Sequence, residues 1–161
     1  MTLGPYRLDS ALDAGGMGTV YLAENVQIDR KVAIKVMYPE AASEEGRERF
    51  VREGRAAARL EHRNVVYVLD VDVDGDVPYY VMEYLEGLTL KDLALRSWDA
   101  GQPLPIETVV RIVADACLGL DHAHRMKDEL GKPANLVHRD ISPDNLFVSS
   151  TGATKLLDFG I

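Results

Sequence analysis

The sequence predicts an α+β fold, because mostly strand-like segments precede mostly helical ones along its 161 residues. Two observations carry this prediction. Short apolar segments punctuated by glycine and proline fill the first half. One long stripe of apolar residues at helical spacing fills much of the second half. The pattern changes near Gly87, so we expect an N-terminal unit over residues 6–86 and a partial second unit over residues 87–161.

Five strands and one helix are predicted in the first half. The strands cover residues 6–12, 19–23, 32–37, 65–73 and 77–85. The helix runs from Ser43 to Leu60, because Ser43 is a suitable N-cap, acidic residues fill the first turn and apolar residues recur at helical spacing.

The second half is predicted to be mainly helical. Residues 90–98 form a short helix, and residues 106–124 form a long amphipathic helix whose apolar stripe places Cys117 in the core. Short strands are expected at residues 146–148 and 155–157.

Charge and composition argue against several classes of partner. The net charge is −8 without a long basic run, so neither nucleic acid nor an anionic membrane surface is expected to bind the chain as a whole. A single cysteine permits no internal disulfide, which is typical of the reducing cytosol. No apolar segment reaches the roughly 18–20 residues of a membrane span. We expect a cytoplasmic protein, while a membrane anchor beyond residue 161 of a longer parent stays open.

A glycine-rich turn and a later lysine suggest a phosphate site. Gly15, Gly16 and Gly18 would let backbone N–H groups approach phosphate oxygens, although a tight hairpin explains these glycines equally well. Lys35 follows at a spacing that places it beneath the turn, whereas most lysines on strands are solvated edge charges. Glu53 lies on the apolar stripe of the predicted helix, where a charge is costly unless it is paired. A pairing of Lys35 with Glu53 would therefore explain why each of these charges stands where it does.

Three polar residues near the C-terminus suggest acid–base and metal chemistry. Asp140 could accept a hydroxyl proton, and such a base contributes typically about 10²–10⁴ in rate. Asn145 and Asp158 offer hard oxygen ligands suited to Mg²⁺. Each residue alone is better explained as a turn former, but the ordered set is not.

The chain resembles the protein-kinase family, most closely the eukaryotic-like serine/threonine kinases of bacteria. The resemblance rests on six elements in order: Asp13–Val20, Val32–Lys35, Glu53, Val81–Leu85, His138–Asn145 and Asp158–Gly160. It implies a protein-kinase-like fold, with an antiparallel five-stranded N-lobe sheet, one helix, and the first part of a mainly helical C-lobe.

The resemblance also implies a role for each site residue. Adenine would contact Leu12, Val20, Ala33, the gatekeeper Met82, and the backbone of Glu83 and Leu85. Gly15, Gly16, Met17 and Gly18 would cover the phosphates of ATP, and Lys35, held by Glu53, would bind them. Asp140 would be the catalytic base, and Asn145 and Asp158 would hold Mg²⁺.

These roles imply an ATP-dependent kinase that transfers the γ-phosphate to serine or threonine hydroxyls of protein substrates. Two alternatives remain: a nucleotide-binding pseudokinase or scaffold, and an inactive truncated fragment. Asp13 replaces the first glycine of the family's loop, and Ser142 stands where serine/threonine kinases usually have lysine.

The sequence stops just after the Asp158–Gly160 motif. From this we expect a truncated catalytic domain that exposes an apolar stripe of the 106–124 helix and associates with itself through that surface.

Overall fold

The computed structural model of the chain describes residues 1–16, 18–38, 43–128 and 130–159. Within these ranges the chain forms two compact units, one of residues 1–59 and 67–85 and the other of residues 60–66 and 86 onwards. The predicted α+β class is confirmed. The division into domains at 6–86 and 87–161 stays a prediction.

The described residues form nine strands and three helices. In chain order these are β1 (Thr2–Leu3), β2 (Tyr6–Ala14), β3 (Gly18–Asn25), β4 (Arg30–Met37), α1 (Glu44–Ala58), β5 (Val68–Asp74), β6 (Val77–Glu83), β7 (Gly87–Thr89), α2 (Leu90–Asp99), α3 (Ile106–His124), β8 (Leu146–Ser149) and β9 (Thr154–Leu156). None of the helices that these residues form is long and apolar enough to cross a membrane.

The first unit is built on an antiparallel sheet with the strand order β1-β2-β3-β4-β6-β5. Among the described residues this sheet has six strands, one more than predicted. The additional strand β1 turns back at Gly4, whose φ of 51° favours glycine, and Leu3 then pairs with Tyr6. A two-residue strand is too short to produce a periodic pattern, so the sequence did not indicate it.

One face of this sheet packs into an apolar core. Alternate residues of β4 point into the core because side chains alternate between the two faces of a strand. The buried members of the core cluster are Leu3, Tyr6, Ala23, Val32, Ile34, Val36, Tyr79 and Val81. β1 supplies Leu3, so the additional strand contributes directly to this core.

Helix α1 packs on β5 and β6 of the same unit. The Ser43 hydroxyl accepts a hydrogen bond from Gly46 N at 3.1 Å, which confirms the predicted N-cap. Phe50 is buried, with its ring centroid 5.1 Å from that of Tyr80. Gly54 has no side chain where a Cβ would lie 3.1 Å from Val71 Cγ2. The helix therefore approaches the sheet closely.

The boundaries after α1 differ from the prediction. The helix ends at Ala58 rather than Leu60, and β5 begins at Val68 rather than Val65. Residues 60–66 belong to the second unit, where Val65 forms a parallel bridge with Leu156 and Val66 N donates to Leu156 O at 2.9 Å. Val65 and Val66, which we predicted as the start of β5, therefore pair with Leu156 of the second unit instead.

The second unit contains α2, α3 and the three-stranded sheet β7-β8-β9. The buried positions of α3 are Ile112, Asp115, Ala116, Gly119 and Ala123. Cys117 is exposed, so its predicted place in the core is wrong, because the buried stripe runs through Ala116 and Gly119 instead. Val110 and Val113 are also exposed.

Two histidines of the second unit have lowered pKa values. Burial lowers the pKa of His138, which is only 1% exposed, from its ordinary value of 6.5. Burial, and next the charge of His122, lower the pKa of His62; the two rings stack at 5.0 Å. Both groups are therefore held more readily in the neutral form in the folded chain.

Replacing Gly119 by alanine should destabilise the second unit, although alanine favours helices. A Cβ at residue 119 would lie 2.8 Å from Asn64 O and 2.9 Å from Leu156 Cδ1, so the helix or its neighbours must shift. Overpacking costs about 1–3 kcal/mol and should outweigh a propensity gain of about 1 kcal/mol. Urea denaturation measures the change, with Leu118→Ala on the exposed face of α3 as control. A more stable Gly119→Ala protein would contradict the close approach.

The free energy of unfolding should fall as the pH drops below about 6.5. The unfolded chain then binds a proton at His138 more readily than the folded chain, so the stability present above that pH is lost. His62 acts in the same direction.

Urea denaturation about one unit above and about one unit below that pH tests this dependence. The dependence should weaken in His138→Gln and persist in His124→Gln, which changes an exposed residue. An equal pH dependence in all three proteins would contradict the role of His138.

Candidate active site

Four of the predicted site residues share one face of the first sheet. Val20 pairs with Lys35, and Ala33 pairs with Met82. Paired residues of antiparallel strands point to the same face, and so do residues two apart on one strand. These four side chains therefore lie opposite the core face that Ile34 occupies.

The glycine-rich turn joins β2 to β3. Gly15 N donates to Gly18 O at 2.9 Å, which closes the turn. A Cβ at Gly18 would lie 2.1 Å from Val36 O, so packing within the sheet already requires glycine there. Gly16 has no such constraint, since nothing lies within 4 Å of the position its Cβ would take. Met17, also predicted in this turn, lies outside the described residues.

Leu12 lies just before this turn, at an irregularity of β2. The pairing of β2 with β3 shifts register between Ala11 and Asp13, so Leu12 is the residue left over. Its side chain is exposed.

Lys35 and Glu53 each contact a residue that the sequence did not single out. The Lys35 ammonium lies 5.8 Å from the centroid of the Tyr80 ring, within reach of a cation–π interaction. Glu53 Oε1 accepts a hydrogen bond from Arg49 Nε at 3.0 Å. The i,i+4 spacing of Arg49 and Glu53 was a signal for this pair. The pairing of Lys35 with Glu53 stays a prediction.

The end of β6 is tied to residue 67 by two hydrogen bonds. Glu83 N donates to Tyr67 O at 3.0 Å, and Tyr67 N donates to Glu83 Oε1 at 2.9 Å. Leu85, the last predicted adenine contact, follows two residues later at the end of this part of the first unit.

In the second unit, Asn145 holds the predicted base. Its Nδ2 donates to Asp140 Oδ2 at 2.8 Å and to the Asp140 carbonyl oxygen at 2.9 Å. The first of these bonds restricts the rotation of the Asp140 carboxylate, and the second holds its backbone. The amide nitrogen only donates, so Oδ1 is the atom of the Asn145 side chain that can accept from or coordinate a ligand.

The same asparagine connects the loop of residues 138–145 to the segment that carries Asp158. Leu157 N donates to Asn145 O at 2.9 Å, and His138 Nε2 lies 2.8 Å from Leu157 O. The His138 ring packs on Phe159 at 4.6 Å. The loop that carries Asp140 and Asn145 is thus bonded to the two residues that flank Asp158 in the second unit.

Two residues of these segments have backbone conformations that non-glycine residues adopt at a cost. Arg139 has a φ of 64° and Asp158 a φ of 46°. Such conformations cost on the order of 1–3 kcal/mol each and persist where the surroundings enforce them. The neighbours of these two residues are held in place, because His138 is bonded to Leu157 and Asn145 is bonded to Asp140.

The donors present suit a magnesium ion that also binds phosphate. Mg²⁺ in such sites uses one or two carboxylates together with substrate oxygens and water. Asp158 supplies a carboxylate, and Asn145 Oδ1 supplies an amide oxygen. No group of three or more histidine, cysteine or acidic side chains placed to hold a metal occurs in the described part of the chain. Both predicted residues offer the hard oxygen donors that Mg²⁺ prefers. Gly160, which completes this motif, lies outside the described residues.

Comparison with known proteins identifies the family. Residues 6–161 match the model of the protein kinase domain. The serine/threonine-protein kinase PknB of Mycobacterium leprae (strain TN) is 37% identical over 161 residues, covering 97% of this chain and 24% of the relative. The tyrosine-protein kinase MasK of Myxococcus xanthus (strain DK1622) is 38% identical over 162 residues, covering 98% of this chain and 25% of the relative.

A solved structure is similar along the whole chain. The crystal structure of the Mycobacterium tuberculosis PknI kinase domain has a TM-score of 0.78 and 32% sequence identity, over 100% of this chain and 62% of that one. The chain spans about a quarter of the length of the two relatives above. The ordered motifs, the hydrogen-bonded pair of Asp140 and Asn145, and these matches agree: the chain belongs to the protein kinase family.

Proposed function

We propose that the chain carries the ATP-binding and catalytic-loop residues of a protein kinase that transfers the γ-phosphate of ATP to serine or threonine hydroxyls. The observation that carries this proposal is that two hydrogen bonds from Asn145 hold Asp140, while the Asn145 carbonyl oxygen binds Leu157, the residue before Asp158. A carboxylate that is oriented in this way suits a general base.

In the proposed reaction the acceptor hydroxyl oxygen attacks the γ-phosphorus. The bond between that phosphorus and the oxygen bridging to the β-phosphate breaks, and ADP leaves. The hydroxyl proton passes to the Asp140 carboxylate. Mg²⁺, held by Asn145 and Asp158, would neutralise charge on the phosphate oxygens.

The first unit supplies the proposed nucleotide contacts. Val20, Ala33 and Met82 share one face of the sheet, which supports an apolar surface for adenine together with Leu12. The backbone of Glu83 and Leu85 would bind the purine edge. The turn of Gly15, Gly16, Met17 and Gly18 would cover the phosphates, and Lys35 would bind them with Glu53 as its partner.

The preference for serine and threonine follows the relatives. PknB of Mycobacterium leprae and PrkC of Bacillus subtilis (strain 168) are named serine/threonine-protein kinases, while MasK is named a tyrosine-protein kinase. We also propose a cytoplasmic location. With a single cysteine the chain forms no internal disulfide, so it does not require an oxidising compartment. The exposed Val110 and Val113 of α3 support self-association through that helix.

Changing Asp140 to asparagine should abolish most phosphate transfer. The amide cannot take the hydroxyl proton, so the rate should fall about 10²–10⁴-fold. Transfer of labelled phosphate from ATP to a protein acceptor measures the effect. Asp99→Asn, at the exposed end of α2, removes a carboxylate elsewhere and should retain the rate. Equal rates in the two variants would refute the role of Asp140.

Mg·ATP should stabilise the protein in a thermal-shift experiment, since a ligand that binds only the folded state raises its melting temperature. The shift should be larger with Mg²⁺ than with ATP and a chelator. Asp158→Asn should lose the magnesium-dependent part of the shift, and Asp99→Asn should keep it. The same shift with and without magnesium in the parent protein would contradict the proposed metal site.

A further inference from the structure

Asp144, in the loop of residues 138–145, forms an exposed ion pair with Lys91, which lies 53 positions earlier in the chain. Lys91 Nζ lies 2.8 Å from Asp144 Oδ1, and the two side chains are 54% and 57% exposed. Lys91 N also donates to Pro143 O at 3.2 Å. The first turn of α2 is therefore attached to the loop of residues 138–145 through both backbone and side chain.

The position of this lysine is unfavourable in its own helix. Lys91 lies in the first turn of α2, where the helix dipole disfavours a positive charge. The other charged residue of that turn, Asp92, is engaged in a cap, since the Thr89 hydroxyl donates to Asp92 Oδ2 at 2.9 Å. Asp144 thus supplies the carboxylate that offsets the charge of Lys91.

The pair is close to the predicted base. Asp144 directly precedes Asn145, whose side chain binds Asp140 at 2.8 Å. An acceptor hydroxyl must come within about 2.6–3.2 Å of the base. The protein segment on either side of the acceptor extends by about 3.3 Å per residue. Residues only a few positions from the acceptor therefore pass within reach of Lys91 and Asp144.

The ion pair changes which substrate charges are attracted there. Alone, the exposed Asp144 carboxylate would attract a lysine or arginine of the substrate, adding to the negative charge of Asp140 and Asp158. Lys91 already neutralises that carboxylate, so a basic substrate residue would have to displace it.

We propose that the Lys91–Asp144 pair is a specificity element that suppresses a preference for basic residues beside the acceptor. The proposal rests on the proposed kinase function. Its substrate class is protein segments in which a lysine or arginine a few positions from the acceptor hydroxyl brings no advantage. Lys91 and Asp144 touch the flanking residues of the substrate and take no part in the transfer itself.

The test compares peptide series with the intact protein and its variants. Each peptide has one serine acceptor and carries arginine, alanine or aspartate at one position, from three residues before to three residues after the serine. The measured quantity is kcat/KM for each peptide. Lys91→Met removes the ammonium and keeps the apolar stem, so the ratio of arginine to alanine peptides should rise about two- to fivefold at one or more positions, as for an exposed ion pair.

Two further variants separate specificity from structure. Lys91→Arg keeps the charge and should retain the parent ratio. Lys91→Met combined with Asp144→Asn should lose the new preference for arginine, because the uncovered carboxylate is gone. A general loss of stability would lower kcat/KM for all peptides alike and would leave the ratio unchanged.

An unchanged ratio in Lys91→Met would overturn the proposal, and so would a preference for arginine that survives Asp144→Asn. Failure of the proposed function looks different. In that case no peptide is phosphorylated in a manner that depends on Asp140, whatever residue stands at position 91.

Discussion

The side chain and backbone of Asn145 hold the second unit's site together. The amide nitrogen binds both the carboxylate and the carbonyl of Asp140, and the backbone oxygen accepts from Leu157. Three short segments are thereby joined through one residue. Each bond fixes one segment relative to Asn145, so together they favour one arrangement of the segments over its alternatives. The left-handed backbone of Asp158 is held in this arrangement.

The first unit depends on the alternation of side chains along β4. Val32, Ile34 and Val36 fill the core, while Ala33 and Lys35 point to the other face. A shift of one residue in the pairing of β4 would exchange these two sets. The burial of the core therefore also determines which residues are available for a nucleotide. Folding and the proposed binding surface share one physical cause.

The charged groups show how local and distant contacts differ. Arg49 and Glu53 are neighbours on α1 because residues four apart lie on the same side of a helix. Lys91 and Asp144 meet only because α2 lies against the loop of residues 138–145. The first pair could be anticipated from spacing, but the second could not. The same distinction explains why Cys117 is exposed although its spacing predicted a place in the core. Apolar periodicity alone does not say which side of a broad stripe is buried.

The sequence by itself determined the α+β class, most element positions, the N-cap at Ser43 and the order of the family's motifs, because short-range periodicity and turn chemistry specify these features. Only the tertiary structure showed that residues 60–66 join the second unit, and that Thr2–Leu3 adds a strand. It likewise placed Lys91 on Asp144. The strand at Thr2–Leu3 is too short to give a pattern, and the other two features join residues that are far apart in the chain. Burial between residues far apart in the chain leaves no periodic trace in the sequence.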